Sequence, residues 1–341
     1  MEPLVSILIP AYNAQEWIAD TLESALAQSW LRKEIIVVDD GSKDQTLAVA
    51  RRFESSGVRV FTQENQGAAA ARNTAFSLSR GEYIQWLDAD DLLSPDKIAL
   101  QVAALGENPN PRTVLSCAWG LFLYRWRRAQ FIPTALWCDL SPSEWFLRYM
   151  EDDIYMQTAT WLVSREVTEA AGPWDTRLLG DDDGEYFSRV LLASDGPLFV
   201  PEAKVYYRMS GSSSLSYIGA SDKKKNAQWL GMQLKIGYLR SLDDSRRARA
   251  ACVTYLQNWM VYFYPERLDV FQQASQLASE LGGQLNAPRL SWKYSPIKSI
   301  FGWRLARKAQ AILPRLRWSV YTSWDKVLFR LQAGKRDMGA A

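Results

Sequence analysis

Over about the first 90 residues, short β-branched runs alternate with polar and amphipathic stretches. The runs are VSILIP (5–10), EIIVVD (34–39), VRVFT (58–62) and YIQWL (83–87), each followed by polar or turn-forming residues. Runs of this length read as buried strands, and the spacing between them leaves room for helices. The pattern predicts parallel strands joined by right-handed βαβ crossovers. Asn13 with Glu16 and Ser42 with Gln45 have capping-box spacing, which predicts helices directly after the first two strands. Ser94 and Pro95 predict another helix after the acidic DADD at 88–91, and Ser141, Pro142 and Glu144 one more. The strand ends then carry Tyr12, Asn13, Asp39, Asp40, Gly41 and Asp88 to Asp91, at the edge where open α/β sheets bind ligands.

Beyond this start, residues 110–220 mix strand-like and helical pieces, and 222–282 read as mostly helical, with Lys223 to Lys225 expected on a solvated face. Residues 296–313 place Ile297, Ile300, Phe301, Leu305, Ala309 and Ile312 on one helical face. Pro314 breaks that helix, and Leu316, Val320, Trp324, Val327 or Leu328, and Leu331 repeat the pattern. No apolar stretch reaches the roughly 18–20 residues of a spanning helix. The beginning, MEPLVSILIP, has Glu2 and no basic region, which reads as a buried strand and not a signal peptide.

Charge changes this picture more than bulk composition does. The chain has 341 residues, is 48% hydrophobic, and carries a formal net charge of +2. Residues 289–341 hold 12 Lys or Arg against 2 Asp or Glu, so a basic tail with Trp292, Trp303, Trp318 and Trp324 follows an acidic body. Such a tail could pack on the body or lie on anionic lipid with its tryptophans at the interface. The sequence contains no histidine. This removes Ser/His and Cys/His catalysis and His-ligated zinc, and leaves acid–base work to carboxylates. Cys117, Cys138 and Cys252 form no CxxC pair, and an odd count fits a reducing, cytoplasmic setting. The acidic body carries no recognised nucleic-acid reader motif.

Three acidic clusters carry the candidate chemistry. Asp39 and Asp40 end an apolar strand, where a carboxylate can accept hydrogen bonds from a base or ribose without moving. Asp88, Ala89 and Asp90 end another, and magnesium or manganese commonly combines one or two carboxylates with substrate phosphates. Asp181, Asp182 and Asp183 precede a helix, and adjacent carboxylates raise one another's proton affinity, so one of them could accept a proton near neutral pH. Gly67 before AAAARN allows close approach of backbone to ligand at a helix N-terminus. The tryptophans Trp119, Trp137, Trp145 and Trp161 could stack on a sugar, but most read as core.

The clusters VSILIPAYN, VVDDGSKDQT, ENQGAAAARN and IQWLDADD, in this order and followed by GDDDGEYFSRV, resemble family 2 glycosyltransferases with the GT-A fold over about residues 4–215. The resemblance implies an α/β fold with a Rossmann-like, mostly parallel sheet flanked by helices. Residues 1–220 would form the catalytic domain, nucleotide-binding over about 1–110 and acceptor-binding over about 111–220. A helical extension, 221–288, and a basic amphipathic tail, 289–341, would follow. It implies an inverting transferase taking a sugar from a nucleoside diphosphate donor, a UDP-sugar being favoured, to a glycan or lipid-linked hydroxyl. Mn2+ or Mg2+ would be the cofactor, and the enzyme would be cytoplasmic or peripheral on the cytoplasmic membrane face through 289–341.

Carried over by position, the family's donor contacts fall on Pro10, Tyr12, Asn13, Asp39, Asp40, Gly67, Arg72, Asn73, Asp88, Ala89 and Arg208, with Asp40 facing the base. Asp90 is the implied main metal ligand, with Asp88 on ribose or metal. Asp183 is the implied general base and Asp182 its rival. Glu185 fits a later acidic position, and Arg165 with Gly172 to Asp175 fits the segment before the cluster. In YYRMSGSSSLS, Ser210 stands where the family often has histidine, so the diphosphate contact there would fall to Arg208 and Ser213. A sugar nucleotidyltransferase and a noncatalytic nucleotide-sugar-binding protein are the alternatives. The first usually has a Gly-rich basic N-terminal loop that Ala11 to Glu16 lacks.

Overall fold

The computed structural model describes residues 2–106, 110–209 and 221–288, together with positions 292–294, 296, 297, 299–302, 305, 306, 309, 310, 325, 326, 328 and 329. Strands β1 (Val5–Ala11), β2 (Lys33–Asp39), β3 (Val58–Thr62) and β4 (Tyr83–Trp86) fall on the four apolar runs. They pair in parallel in the order β3-β2-β1-β4. All seven residues of β1 are buried. The central strand of a parallel sheet is covered on both faces, so its sequence is continuously apolar instead of alternating.

Helices α1 (Ile18–Leu26), α2 (Thr46–Arg51) and α3 (Ala68–Ser77) follow the first three strands. Ala11 pairs with Asp39, and Asp39 with Thr62, so the acidic end of β2 lies level with its neighbours at the carboxyl edge. The capping boxes do not form. The first turns of α1 and α2 begin at Ile18 and Thr46 without side-chain caps. The two loops lie side by side and satisfy one another instead. Asn13 N donates to Ser42 Oγ at 2.9 Å, Lys43 N to Asn13 Oδ1 at 2.9 Å, Gln45 N to Gln15 Oε1 at 2.9 Å, and Ala14 N to Thr46 Oγ1 at 2.7 Å.

After β4 come β5 (Leu92–Leu93), α4 (Lys97–Ala104), β6 (Thr113–Phe122), β7 (Gln130–Phe131), α5 (Pro142–Asp152), β8 (Val163–Ser164), α6 (Arg165–Ala171), α7 (Asp182–Leu192) and β9 (Gly196–Arg208). Short β8 adds antiparallel to β4 at the end of the first sheet. A second sheet, ordered β5-β9-β6-β7, pairs β6 with β9 in parallel. Ser141 caps α5 as expected, accepting from Glu144 N at 3.3 Å.

The segment read as helical contains α8 (Asp222–Leu242), α9 (Arg246–Trp259) and α10 (Leu268–Glu280). Here the solvated face expected for Lys223 to Lys225 is corrected, since Lys225 is only 5% exposed. A helical register rotates successive residues by about 100°. Three consecutive lysines therefore cannot share one face. Of the four tryptophans named above, Trp119, Trp145 and Trp161 are buried, and Trp137 stacks on Phe199.

In the tail, Ile300, Phe301 and Leu305 are exposed while Ala306 is buried. Asp325 is 6% exposed and accepts from Arg125 Nε at 2.6 Å and Tyr124 N at 3.1 Å, so this part of the tail packs on the body. Trp303, Pro314, Leu316, Trp318, Val320, Trp324, Val327 and Leu331 lie outside the described residues.

Candidate functional site

At the carboxyl edge the two aspartates of β2 have different partners. Asp40 Oδ1 accepts from Gln63 Nε2 at 2.8 Å and Gln66 N at 2.9 Å, and Oδ2 from Gly67 N at 2.8 Å, so this carboxylate closes the loop before α3. Asp39 Oδ2 accepts from Ser42 N and Thr62 Oγ1, both at 3.2 Å. Its Oδ1 is buried with no partner among the described residues. A buried acceptor left open costs free energy until a donor reaches it. The geometry therefore gives Asp39, rather than Asp40, the open acceptor of this pair. Gly67 has φ +93°, a left-handed conformation that glycine adopts without strain.

Arg72, on the first turns of α3, joins two acidic clusters distant in sequence. Its Nη2 donates to Asp88 Oδ1 at 2.7 Å and its Nη1 to Asp182 Oδ2 at 2.6 Å. The guanidinium is 6% exposed and lies 4.3 Å from the ring of Trp174. Asn73 fixes that tryptophan through its main chain, donating to Trp174 O at 2.9 Å and accepting from Trp174 N at 2.8 Å. The Gly172–Asp175 segment thus serves as a platform beneath Arg72. Arg165 pairs with Glu169 on its own helix at 3.6 Å and not with these two acidic clusters, and it donates to Gly81 O and Ser79 Oγ, both at 2.8 Å.

The three aspartates before and in α7 separate by partner. Asp181 pairs with Lys235 of α8, and Asp182 with Arg72. Asp183 Oδ1 accepts from Gly184 N at 2.8 Å and Oδ2 from Thr158 Oγ1 at 3.2 Å, with no cation paired to it among the described residues. Burial, then the charges of Asp182 and Asp181, raise its pKa to about 7, with Arg72 acting in the opposite direction. Burial also raises Asp182, which Arg72 opposes. Glu185 is turned away, accepting from Arg189 Nε at 2.7 Å and Tyr238 Oη at 2.7 Å.

The turn at 157–160 ties this cluster to the other acidic turn, because Gln157 donates to Asp91 Oδ2 while Thr158 donates to Asp183. Asp91 is fully buried, accepts from Arg208 N at 2.8 Å, and is pushed well above the usual carboxylate range by burial and then by Asp90 and Asp88.

Arg208 was expected to meet a diphosphate. Instead its guanidinium is 2% exposed and donates to Asp90 O at 2.8 Å, Asp20 Oδ2 at 2.9 Å and Leu123 O at 3.3 Å, between the rings of Trp17 and Phe122. It holds the 88–91 turn from behind. Ala89 is also pinned, its carbonyl accepting from Thr21 Oγ1 at 2.9 Å. Pro10 is buried, Tyr12 is exposed, and Asn13 is exposed with φ +50°. Ser210 and Ser213 lie outside the described residues.

A divalent cation fits this donor set. Asp88 and the half-buried Asp90 offer hard oxygen ligands on one turn, and magnesium or manganese needs only one or two carboxylates when phosphates complete its shell. Among the described residues no cluster of three or more metal-ligating side chains occurs.

The sequence pattern singles out none of Lys235, Thr158 and Gln157, and it marks Trp174 only as part of the Gly172–Asp175 segment. Beyond this, their only sequence signal was proximity to apolar helices and turns, and each acquires its role through contacts across more than 20 residues of chain.

Residues 6–148 match Glycosyl transferase family 2. The glycosyltransferase RT0329 of Rickettsia typhi is 40% identical over 119 residues, covering 35% of this chain and 37% of that protein. The chain spans less than half the length of the curated relatives it matches. Among solved structures, S. aureus TarS 1–349 in complex with UDP-GlcNAc aligns with a TM-score of 0.66 at 17% identity, covering 90% of this chain and 91% of that one. The mannosyltransferase PcManGT of Pyrobaculum calidifontis, in complex with GDP-Man and Mn2+, aligns with a TM-score of 0.56 at 20% identity, covering 96% and 88%. The α/β architecture is that of the GT-A glycosyltransferases.

Proposed function

We propose that this chain, whose residues 6–148 match Glycosyl transferase family 2, moves a glycosyl group from a nucleoside diphosphate sugar to an acceptor hydroxyl, with inversion at the anomeric carbon. One observation carries this reading. Arg72 holds Asp88 and Asp182 on the same guanidinium, and the charge of Asp88 acts on Asp183, which supports a site shared by Asp183 and the 88–90 turn.

In that site Asp39 Oδ1 accepts from the base or ribose of the donor, and the 88–90 turn receives the diphosphate. The acceptor oxygen bonds to the anomeric carbon as the bond from that carbon to the diphosphate oxygen breaks. The electron pair leaves with the diphosphate, and the hydroxyl proton passes to Asp183. Of the three adjacent aspartates, Asp183 is the one without a paired cation among the described residues, and its raised pKa suits a group that must take a proton. Asp90 with Asp88 would hold a divalent cation, Mn2+ or Mg2+, which when bound compensates charge on the leaving diphosphate. The Mn2+ complex of PcManGT and the UDP-GlcNAc complex of TarS support a metal-assisted nucleotide-sugar site. A UDP-sugar is our favoured donor, and a glycan or lipid-linked alcohol our favoured acceptor.

The test begins with thermal shift against UDP- and GDP-sugars with and without Mn2+, since a specific donor stabilises the folded state. With the donor identified, Asp183→Asn is expected to lower transfer by about 100- to 10,000-fold while the donor-induced shift persists. Asp90→Ala is expected to abolish the Mn2+-dependent part of that shift. NMR of the product should show inverted anomeric configuration; retention would reject the single displacement.

A further inference from the structure

Helix α8 lies in the stretch that the sequence reads as an appendage to the catalytic part, yet it reaches the acidic cluster. Lys235 of α8 is 0% exposed. Its Nζ donates to Asp181 Oδ2 and, at 2.9 Å, to Tyr149 Oη. The ammonium also lies 5.4 and 5.5 Å from the ring centres of Tyr149 and Tyr255. Gln228 of the same helix donates to the same Asp181 oxygen at 2.9 Å.

Gly184 leaves room for this contact. A Cβ there would collide with the Asp181 carboxylate and stand 3.3 Å from Lys235 Nζ. Asp181 directly precedes α7, whose first two residues are Asp182 and Asp183.

We propose that Lys235 is a positioning residue of the transfer site, acting through Asp181. By pairing with Asp181 it anchors the first turn of α7 and compensates one of three adjacent carboxylates, leaving Asp183 able to lose its proton. Helix α8 is then an integral part of the catalytic unit and not an appendage to it. This rests on Asp183 being the base, as proposed above.

The groups acting on Asp183 are Asp181 and Asp182 beside it, Arg72 from α3, Asp88 from the turn after β4, and Thr158 and Tyr155 from the segment after α5. Among the described residues, Lys235 and Arg72 are the cations paired with this cluster. Without Lys235 the carboxylates keep one paired cation and bind their proton more tightly.

The experiment compares Lys235→Met, Lys235→Arg and Asp181→Asn by the pH dependence of kcat/KM and by 13C NMR titration of the aspartate carboxyls. Lys235→Met is expected to lower kcat by about 10- to 100-fold, to move the acid limb and the Asp183 titration to higher pH, and to leave the Kd for donor unchanged. Lys235→Arg should restore the limb. Asp181→Asn, which keeps the cation and removes a carboxylate, should move it to lower pH, and serves if Lys235→Met does not fold. An Asp183 titration unmoved in both Lys235→Met and Asp181→Asn, or in Asp181→Asn alone if Lys235→Met does not fold, overturns the proposal, as does an equal loss of rate at every pH. Because the NMR titration needs no turnover, it separates failure of this inference from failure of the transferase reading, which would appear as a wild-type chain active on no nucleotide sugar.

Discussion

Three consecutive aspartates are chemically alike in the sequence, and only their neighbours make them different. Asp181 meets Lys235, Asp182 meets Arg72, and Asp183 is left with a hydroxyl and a main-chain N–H. The sequence could narrow the base to Asp182 or Asp183, because partners 110 residues away are set by folding. With Asp183 raised to about 7, transfer is expected to be low at pH 5 and to rise through a midpoint near that value, as measured by kcat/KM across pH. The same shift predicts a stability effect. Asp183 has a higher pKa folded than unfolded, so its ionisation destabilises the fold, and stability falls as pH rises from about 4 to about 7. Asp183→Asn should therefore raise Tm more at pH 8 than at pH 5, by scanning fluorimetry. An equal change at both pH values would contradict this.

At the scale of elements, the apolar runs placed four strands, most plainly β1 and β4, where burial of every residue demands continuous hydrophobicity, and least so the edge strand β3, where only Val58 is buried. Helix starts were less legible. Asn13 and Ser42 have side chains able to cap their own helices, but each accepts from the adjacent loop instead. Arg72 is the corresponding case between elements, crossing from α3 to α7 and to the turn after β4. Arg72→Met would leave Asp88 and Asp182 without their shared cation. Breaking such a buried pair costs about 3–5 kcal/mol, which denaturant unfolding should detect as a lower midpoint at unchanged slope.

At the scale of the whole molecule, the basic tail and acidic body were legible from charge counts alone, whereas the way they meet was not. Asp325, one of the tail's two acidic residues, is the group that docks on Arg125 and Tyr124, and Lys326 lies 3.9 Å from Glu16. Ile300, Phe301 and Leu305 are exposed within this basic tail, and they are the apolar side chains through which the expected contact with anionic lipid can be tested. The full chain is expected to sediment with anionic vesicles, less so at high salt, and Phe301→Glu should weaken this. Absence of sedimentation at low salt would remove the membrane reading. No described helix is long and apolar enough to cross a membrane.

By itself, the amino-acid order determined the alternation of strands and helices, the placing of carboxylates at strand ends, and the exclusion of histidine chemistry. Each follows from local pattern or from composition. Tertiary structure decided which carboxylate is paired and which is open, that Arg208 supports the acidic turn from behind, and that α8 supplies Lys235. A charged group's behaviour depends on burial and on partners within a few ångströms, and in a folded chain those partners come from segments that local sequence pattern does not connect.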